Sequence, residues 1–220
     1  MKAMILAAGR GERMKPLTDS LPKPLLEVAG KPLLQHHIEA LARAGIRDIV
    51  INHARMGELI EKRFGDGQAL QVCIEYSAEG DEPLETGGGI KRAMAMLGDN
   101  PFIVANADVF TDFDYAGLPG QPDKLAHLVM VPNPAHNPQG DFELRDGLLR
   151  DLGRERYTFS GIAVYCPALF DNSPQGSFPL APLLREAMAE AQVSGELYEG
   201  TWVDVGTPQR LEEINHRFSK

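Results

Sequence analysis

Short apolar runs and helical patterns alternate along the first half of the chain. Residues 3–8, 48–52 and 102–105 are nearly continuous apolar runs, which are typical of strands buried on both faces of a parallel sheet. Residues 70–76 alternate between apolar and polar positions well enough to predict a further strand.

Between these strands, apolar residues recur at helical spacing. Helices are predicted to begin at Pro32, near Met56 and at Gly87, and Gly45 is a suitable residue to end the first of them. The resulting order, β-α-β-α-β-α-β, predicts a parallel sheet with right-handed crossovers. Ligands of such sheets bind at the carboxyl ends of the strands.

The second half of the pattern is richer in strands. No internal repeat or linker interrupts it, so we predict one domain. The predicted strands are residues 126–131, 140–144, 148–152, 157–165 and 197–203, and the predicted helices are residues 179–191 and 208–218.

The composition narrows the range of partners. The chain has 220 residues and a net charge of −9, which argues against a nucleic-acid partner because phosphate backbones are bound by basic faces. The sequence suggests neither a signal peptide nor a membrane span, so we expect a cytoplasmic protein with no membrane partner. Cys73 and Cys166 lie in apolar surroundings and are expected to be buried, reduced thiols.

A glycine-rich loop follows the first predicted strand. Gly9 and Gly11 lack the third glycine of a dinucleotide-binding fingerprint, and Pro16 opposes a helix directly after the turn. A Walker A loop is excluded too, because no glycine-lysine-serine/threonine follows at the required spacing. A loop as long as residues 9–22 inside a compact domain is usually functional.

The loop and the lysine that follows it carry groups suited to a triphosphate. Lys23 is a point charge held between two prolines, and Arg13 offers a planar fork for a departing pyrophosphate. The alternative is a surface loop with a solvated arginine and lysine, but a tight turn needs no cation between prolines. Small residues would let the backbone approach the phosphates, and the predicted contacts are Ala8, Gly9, Gly11 and Glu12.

The opening stretch resembles the signature of the sugar-1-phosphate nucleotidyltransferases. It reads Leu-Ala-Ala-Gly-x-Gly-x-Arg-Met-x-Pro-Leu-Thr, followed by Pro-Lys-Pro-Leu. These enzymes condense a nucleoside triphosphate with a sugar 1-phosphate and release pyrophosphate. The resemblance covers nearly the whole chain and implies a Rossmann-like three-layer α/β/α fold of the GT-A-like type, with a mostly parallel central sheet. It also implies a single domain, 1–220, with a nucleotide-binding half (1–110) and a sugar-phosphate-binding half (111–220), and catalytic roles for Arg13 and Lys23.

Two strand-end aspartates match the metal motifs of this family. Asp108 follows the fourth strand in an Asn-Ala-Asp sequence, and Asp204 lies in Trp-Val-Asp-Val-Gly-Thr-Pro. The resemblance implies that both hold Mg²⁺, a cation that prefers oxygen ligands together with phosphates and water. Taken alone, Asp108 could instead cap the next turn. Asp112 and Asp114 are expected to be solvated loop residues.

Family members read the nucleotide base with the segment that corresponds to residues 76–79 and 83–89. A carboxylate there could accept a ring N–H from uracil, but guanine would suit it equally, so the residues leave the base open. The glycines could instead serve only to pack a helix N-terminus. The predicted nucleotide-binding residues of this segment are Glu79, Thr86, Gly87 and Gly88.

The sugar side departs from the family pattern. Many relatives carry Glu-Lys-Pro before the long strand, whereas this chain has Arg154-Glu155-Arg156. The usual lysine contact to the sugar phosphate is therefore missing, and one of the two arginines, or Lys23, would have to replace it. Asp141 and Glu155 could also be solvated acids. The predicted sugar-binding residues are Asn106, Gly140, Asp141, Glu155 and Asp204.

Within the family, a short chain that combines Ser-Ala-Glu, Pro-Leu-Glu-Thr-Gly-Gly-Gly, Asn-Ala-Asp and Gly-Thr-Pro most resembles members that use UTP and N-acetylmuramic acid 1-phosphate. This resemblance, and not the chemistry of the residues, implies these two substrates. We expect a monomer or a small homo-oligomer. The enzymatic alternatives are transferases that combine mannose 1-phosphate with GTP, or glucose 1-phosphate with dTTP or UTP. A non-catalytic sensor of sugar nucleotides is the alternative of a different class, and it predicts loss of at least one of Arg13, Lys23, Asp108 and Asp204. All four are present.

Overall fold

The computed structural model describes residues 1–80 and 84–218. Pro83, part of the predicted base-reading segment, lies outside them. The described residues form five α-helices, α1 Leu33–Arg43, α2 Gly57–Phe64, α3 Glu85–Leu97, α4 Leu180–Ala189 and α5 Pro208–Phe218. Their strands are β1 Ala3–Leu6, β2 Glu27–Val28, β3 Lys31–Pro32, β4 Asp48–His53, β5 Cys73–Ala78, β6 Phe102–Asn106, β7 Val109–Thr111, β8 Ala126–Val131, β9 Phe142–Arg145, β10 Leu148–Arg150, β11 Arg156–Tyr165, β12 Val193–Leu197 and β13 Trp202–Asp204.

A nine-stranded sheet with the order β5-β4-β1-β6-β11-β8-β12-β10-β9 forms the centre of the described chain. The strands β5, β4, β1 and β6 are parallel, as the βαβ pattern predicts. Following the pairings across the sheet, only β11 and β10 of these nine strands run against the others. The prediction of an α/β fold with a mostly parallel central sheet is confirmed.

Helices cover both faces of the sheet. In β1, Ala3 and Ile5 pack with residues of α1 and α2, whereas Met4 packs with residues of α3 and α4. This alternation follows from the two-residue period of a strand, and it explains why a strand between two helical layers is apolar throughout. The predicted three-layer arrangement is therefore present.

The structure differs from the predicted elements mainly near the second aspartate motif. The single strand predicted at 197–203 is wrong, because two strands occupy this region. β12 lies in the large sheet beside β8, and β13 pairs with β7 in a small antiparallel sheet. The apolar pattern does not mark β12, because its sequence Val-Ser-Gly-Glu-Leu is largely polar, and no strand is predicted where β7 lies.

Other local expectations also change. The sequence of residues 24–29 predicts a short strand ended by Gly30, but the structure has a 3-10 turn, Lys23–Leu25, followed by the two-residue β2. The prediction of two buried cysteines is wrong: Cys73 is exposed and Cys166 is half-buried. Cys73 begins the edge strand β5, where alternate side chains point away from the core. No α-helix in the described part of the chain is long and apolar enough to cross a membrane.

Candidate active site

The carboxyl ends of the parallel strands meet at one level. Leu6 of β1 lies opposite Asn52 of β4 on one side and Asn106 of β6 on the other. Asn52 is buried, and its Oδ1 accepts a hydrogen bond at 2.8 Å from the backbone N–H of Ala7. The start of the opening loop is thus fixed to the neighbouring strand, at the edge where ligands of such sheets bind.

The opening loop is closed by hydrogen bonds of its own. The carbonyl of Gly11 accepts from the Thr18 hydroxyl at 2.8 Å and from the Met14 N–H at 2.9 Å. Gly11 has φ of 63°, and an added Cβ would lie 3.0 Å from the Thr18 methyl group and 3.4 Å from Cβ of Lys23. Glycine is required here because the backbone is left-handed and closely packed. Met14 is buried in an apolar cluster with residues of β2, β7 and α5.

Lys23 and Asp108 form the central ion pair of the site. The Lys23 ammonium donates to Oδ2 of Asp108 at 2.6 Å, and Lys23 is only 8% exposed. Pro22 and Pro24 flank the lysine at the start of the 3-10 turn. Both partners line a cavity of about 240 Å³ together with Ala8, Gly9 and Arg10 of the opening loop and further residues of the strand ends. The sequence thus predicts correctly that a cation stands at this edge, and the structure adds its partner.

Asp204 reaches the same region through the small sheet. β13 pairs with β7 so that Asp204 lies opposite Val109, and the N–H of Val205 donates to the Asp108 carbonyl at 2.9 Å. The Asp204 carboxylate accepts from Arg210 of α5 at 2.8 Å, and His136 Nε2 lies 3.4 Å from the same oxygen. The pairing brings together two aspartates that are 96 positions apart in the sequence.

Asp112 is an exposed loop residue, as expected, and it also helps to hold this sheet. Its carboxylate accepts hydrogen bonds from the Tyr198 hydroxyl and from the Thr201 N–H. Partial burial alone would raise the pKa of Asp112, but these bonds outweigh burial and lower it. Asp114, also expected to be solvated, caps a short 3-10 turn by accepting from the Ala116 N–H.

A buried histidine supports the strand that follows Asp108. His37 of α1 lies with Nε2 at 2.7 Å from the Val109 carbonyl and Nδ1 at 2.8 Å from the Tyr115 hydroxyl. A carbonyl only accepts, so Nε2 carries the proton and Nδ1 accepts from the tyrosine. Burial lowers the pKa of His37 to about 4, so the ring is neutral near pH 7. The sequence alone gave this residue no role.

Three cavities of the described chain meet at Asn106, which lines all of them. The one beside Lys23 has a volume of about 240 Å³. A second, of about 270 Å³, is lined by Arg13, His136 and both aspartates. The third, of about 610 Å³, extends towards α4 and β11. Together they can accept a nucleotide and a second sizeable substrate side by side.

The two aspartates fit a magnesium ion that is held partly by substrate. Among the residues described, no group of three or more His, Cys, Asp or Glu side chains could hold a metal by itself. Asp108 and Asp204 nevertheless line the same cavity. Mg²⁺ is commonly bound through one or two carboxylates plus phosphate oxygens and water, so this donor set suits a metal that binds together with a phosphorylated substrate.

The predicted base-reading residues have different positions. Oε1 of Glu79 accepts from Asn52 at 2.6 Å and Oε2 accepts from the Leu84 N–H at 3.0 Å, so this buried carboxylate links β4, β5 and α3. Thr86 lines two of the cavities, as does its neighbour Glu85. Asn52, which joins Glu79 to the opening loop, was not among the predicted residues.

Gly87 and Gly88 lie in a packing contact. An added Cβ on Gly87 would lie 2.4 Å from the Phe178 ring, and one on Gly88 would lie 2.2 Å from the Gly176 carbonyl. Neither glycine lines the cavities described above. Their small size is thus explained by contact of α3 with residues 176–178, and the expected contact with the base gains no support.

The predicted sugar residues also separate into two groups. Asp141 lines the 610 Å³ cavity, where its carboxylate accepts from Asn137 and from the Phe159 N–H. Gly140 has φ of 64° and packs against the backbone of Arg156, so its role there is conformational. Glu155 is exposed and lines none of the three cavities, so the expectation that it contacts the sugar is not supported.

Of the two arginines that could replace the missing lysine, Arg156 lines the 610 Å³ cavity and Arg154 does not. The guanidinium of Arg156 donates to the Asp141 carbonyl. Further groups beside the site carried no signal in the sequence: Arg210 and His136 both contact Asp204. Neither an arginine six residues after an aspartate nor a histidine in a distant proline-rich loop belongs to a periodic pattern that would reveal such a contact.

Comparison with known proteins agrees with this geometry. The chain is 51% identical to the N-acetylmuramate alpha-1-phosphate uridylyltransferase of Neisseria meningitidis serogroup B, over 97% of this chain and 96% of that protein. It is 35% identical to the protein of the same name from Caulobacter vibrioides, over 94% and 92% of the two chains. A crystal structure assigned as a glucose-1-phosphate thymidylyltransferase from Bacillus anthracis superposes with a TM-score of 0.85 at 21% identity, covering 99% of this chain and 95% of that one. Residues 2–140 match the family model described as Nucleotidyl transferase, and the chain therefore belongs to the nucleotidyl transferase family.

Proposed function

We propose that the chain transfers UMP from UTP to N-acetylmuramic acid 1-phosphate, giving UDP-N-acetylmuramic acid and pyrophosphate. The observation that carries the proposal is the Lys23–Asp108 pair, which stands beside Asn106 where the three cavities meet. The similarity to two uridylyltransferases of that name supports the choice of substrates.

The opening loop and Lys23 would receive the triphosphate. Backbone at Ala8 and Gly9 lines the cavity beside Lys23, and Arg13 lines the adjoining cavity with both aspartates. Two anions must approach each other in this reaction, so their charge has to be neutralised and their positions fixed before transfer. A lysine already fixed by Asp108 supplies positive charge without reorganisation. Arg13 would bind the pyrophosphate as it leaves.

The chemical step is a direct displacement at the α-phosphorus of UTP. An oxygen of the sugar phosphate forms the new bond to phosphorus, and the bond between the α-phosphorus and the bridging oxygen breaks, so that pyrophosphate leaves with that electron pair. The attacking oxygen is already ionised at neutral pH and needs no general base. No covalent enzyme intermediate is required.

Asp108 and Asp204 would hold Mg²⁺. The ion supplies charge neutralisation and orientation of the phosphates when it is bound. The pairs with Lys23 and Arg210 keep both carboxylates balanced by positive charge within the chain itself.

The contacts of the site specify the nucleotide base less strictly than they specify the phosphates. Glu79 lines the nucleotide cavity and could accept a ring N–H with the lone pairs that Asn52 and the Leu84 N–H leave unused. Such an acceptor suits uracil and guanine alike, so GTP with mannose 1-phosphate is the second candidate, and dTTP or UTP with glucose 1-phosphate follows it.

A substrate matrix tests the proposal. Four nucleoside triphosphates are combined with N-acetylmuramic acid, N-acetylglucosamine, mannose and glucose 1-phosphates, and pyrophosphate release is measured with Mg²⁺ present. We expect the highest kcat/KM for UTP with N-acetylmuramic acid 1-phosphate. A higher value for another pair would replace the proposed substrates, and nucleotide binding without turnover for any pair would favour the non-catalytic sensor.

We propose that a monomer or a small homo-oligomer is active. UTP is a cytoplasmic metabolite, and we propose that the protein is located in the cytoplasm.

A further inference from the structure

The cavity of about 610 Å³ carries positive charge on the side away from Lys23. Arg156 of β11 and Arg185 of α4 both line the 610 Å³ cavity, which Lys23 does not line. The reacting phosphates must lie near Lys23 and Asp108, where the cavities meet. A cation that lines only the large cavity can therefore bind another acidic group of the substrate.

Arg185 has donors available for such a group. Its Nε donates to the Asp151 carboxylate at 2.9 Å, and half of its side chain is exposed. Its two terminal nitrogens have no partner among residues 1–80 and 84–218. Because the guanidinium is planar and one edge is held by Asp151, the other edge remains available for two parallel hydrogen bonds to a carboxylate.

Arg156 is less suited to this role. One terminal nitrogen already donates to the Asp141 carbonyl, and its Nε is buried without a partner in the described chain. This side chain is fixed in the cavity wall. It is better suited to replace the lysine contact to the sugar phosphate that this chain lacks.

We propose that Arg185, oriented by Asp151, recognises a carboxylate carried by the sugar, and so selects acidic sugar 1-phosphates over neutral ones. The inference rests on the proposed function. N-acetylmuramic acid 1-phosphate differs from N-acetylglucosamine 1-phosphate only by a lactyl ether that ends in a carboxylate, so the pair isolates the group that Arg185 would bind. Arg185 is a specificity-determining residue with no part in the bond exchange.

The first experiment compares the two sugar phosphates on purified wild-type protein and on Arg185→Ala, with UTP and Mg²⁺. For N-acetylmuramic acid 1-phosphate, KM should rise about 10- to 100-fold, the size of a lost charge-assisted hydrogen bond, and kcat should change much less. The preference for it over N-acetylglucosamine 1-phosphate should fall by the same factor. If the neutral sugar is not turned over, its competitive inhibition constant replaces its KM.

Arg92→Ala is the matched control, because Arg92 is an exposed helical arginine on α3 that lines none of the cavities. It should leave both sugars unchanged. An unchanged preference in Arg185→Ala, or a loss of preference in Arg156→Ala instead, would overturn the inference. Absence of UDP-N-acetylmuramic acid with the wild-type protein would contradict the proposed function instead, so the two failures are distinguishable.

A second experiment leaves the protein intact. The methyl ester of the lactyl group keeps its size but removes its charge, so wild-type protein should bind the ester about 10- to 100-fold more weakly than the free acid. In Arg185→Lys, which keeps the charge but loses the fork, the ratio between acid and ester should be intermediate. Equal KM values for acid and ester on the wild-type protein would refute the assignment, even if Arg185→Ala failed to fold.

Discussion

The two cavities proposed for the substrates differ in how their side chains are fixed. We call the cavity of about 240 Å³ beside Lys23 the nucleotide side of the site, and the cavity of about 610 Å³ beside α4 and β11 the sugar side. In the cavity of about 240 Å³ proposed for the nucleotide, pairs of side chains bond to each other: Asn52 to Glu79 and Lys23 to Asp108. Around the sugar cavity, the terminal nitrogens of Arg185 and the Nε of Arg156 have no partner within the described residues. The volumes differ as well, about 240 Å³ against about 610 Å³.

The difference separates the chemistry from the selection of the acceptor. A triphosphate bound there would meet Lys23 and Glu79 in positions that are already fixed, so these two groups need little ordering on binding. A sugar phosphate meets a larger space in which donors remain free, and such a space can be adapted to different sugars without moving the reacting groups. Changes on the nucleotide side should thus affect every sugar phosphate equally, and changes on the sugar side should depend on the sugar.

The largest effect is expected from Asp108→Asn and Asp204→Asn. Each removes one charge from the proposed metal site, so kcat should fall about 10³-fold or more for every sugar phosphate, because neutralisation at the phosphates is lost. UTP binding, measured by calorimetry, should change far less. Asp114→Asn is the control, since Asp114 only caps a nearby turn. Wild-type turnover in both variants would refute the metal assignment.

Lys23→Met should lower kcat/KM about 10²- to 10³-fold, the range found when one preorganised electrostatic group is removed. The factor should be the same with N-acetylmuramic acid and N-acetylglucosamine 1-phosphates, in contrast to Arg185→Ala. Lys15→Met provides the comparison, because Lys15 lies in the same loop but pairs with Glu12 at the surface. A loss that depended on the sugar would break the proposed division of the site.

His37 should make stability depend on pH on the nucleotide side. Burial lowers its pKa from near 6.5 to about 4, so only the unfolded chain takes up this proton between those values. Above pH 7 the lowered pKa of His37 does not affect the free energy of unfolding. As the pH falls below 7, it reduces this free energy progressively, by about 3 kcal/mol at pH 4. Urea unfolding at pH 7 and pH 4.5 measures it.

In His37→Gln the dependence of the free energy of unfolding on pH should be flatter by about this amount, whereas His216→Gln, an exposed change on α5, should keep it. If the free energy of unfolding changed with pH in the same way for wild type and His37→Gln, the pKa of His37 in the folded chain would not be lowered.

The smallest effect is expected at Asn52. Asn52→Ala leaves the Ala7 N–H and one oxygen of Glu79 without their partners, which should lower the free energy of unfolding by about 2 kcal/mol. KM for UTP should rise and KM for the sugar phosphate should not. Asn100→Ala, an exposed change, should stay within about 0.5 kcal/mol. An equal rise in both KM values would mean that Asn52 supports the whole site.

The nucleotide side was also the part that the sequence predicted best. Buried parallel strands are nearly continuous apolar runs, so the sequence predicts β1, β4 and β6, and Arg13 and Lys23 lie ten residues apart in the loop after β1 and directly behind it. Asp108 and Asp204 were singled out by their resemblance to the family's metal motifs, but neither their shared cavity nor the ion pair of Asp108 with Lys23 follows from sequence spacing.

The sugar side was harder to predict because its contacts depend on antiparallel strands that are distant in sequence. β12 is largely polar, and Glu155 and Arg156 are neighbours of which only Arg156 lines the cavity. Gly87 and Gly88 show the converse: glycine in a motif predicted backbone contact with a ligand, but a second segment, residues 176–178, occupies the space beside them. Such contacts are set by tertiary packing, which a local pattern does not record.

Pyrophosphate release measured with UTP alone, and again after addition of N-acetylmuramic acid 1-phosphate, tests the central claim most directly. Direct displacement between the two sides of the site predicts no release without the sugar phosphate, and then one pyrophosphate for each UDP-N-acetylmuramic acid formed. A stoichiometric burst of pyrophosphate from UTP alone would contradict the account, because it would require a uridylylated enzyme.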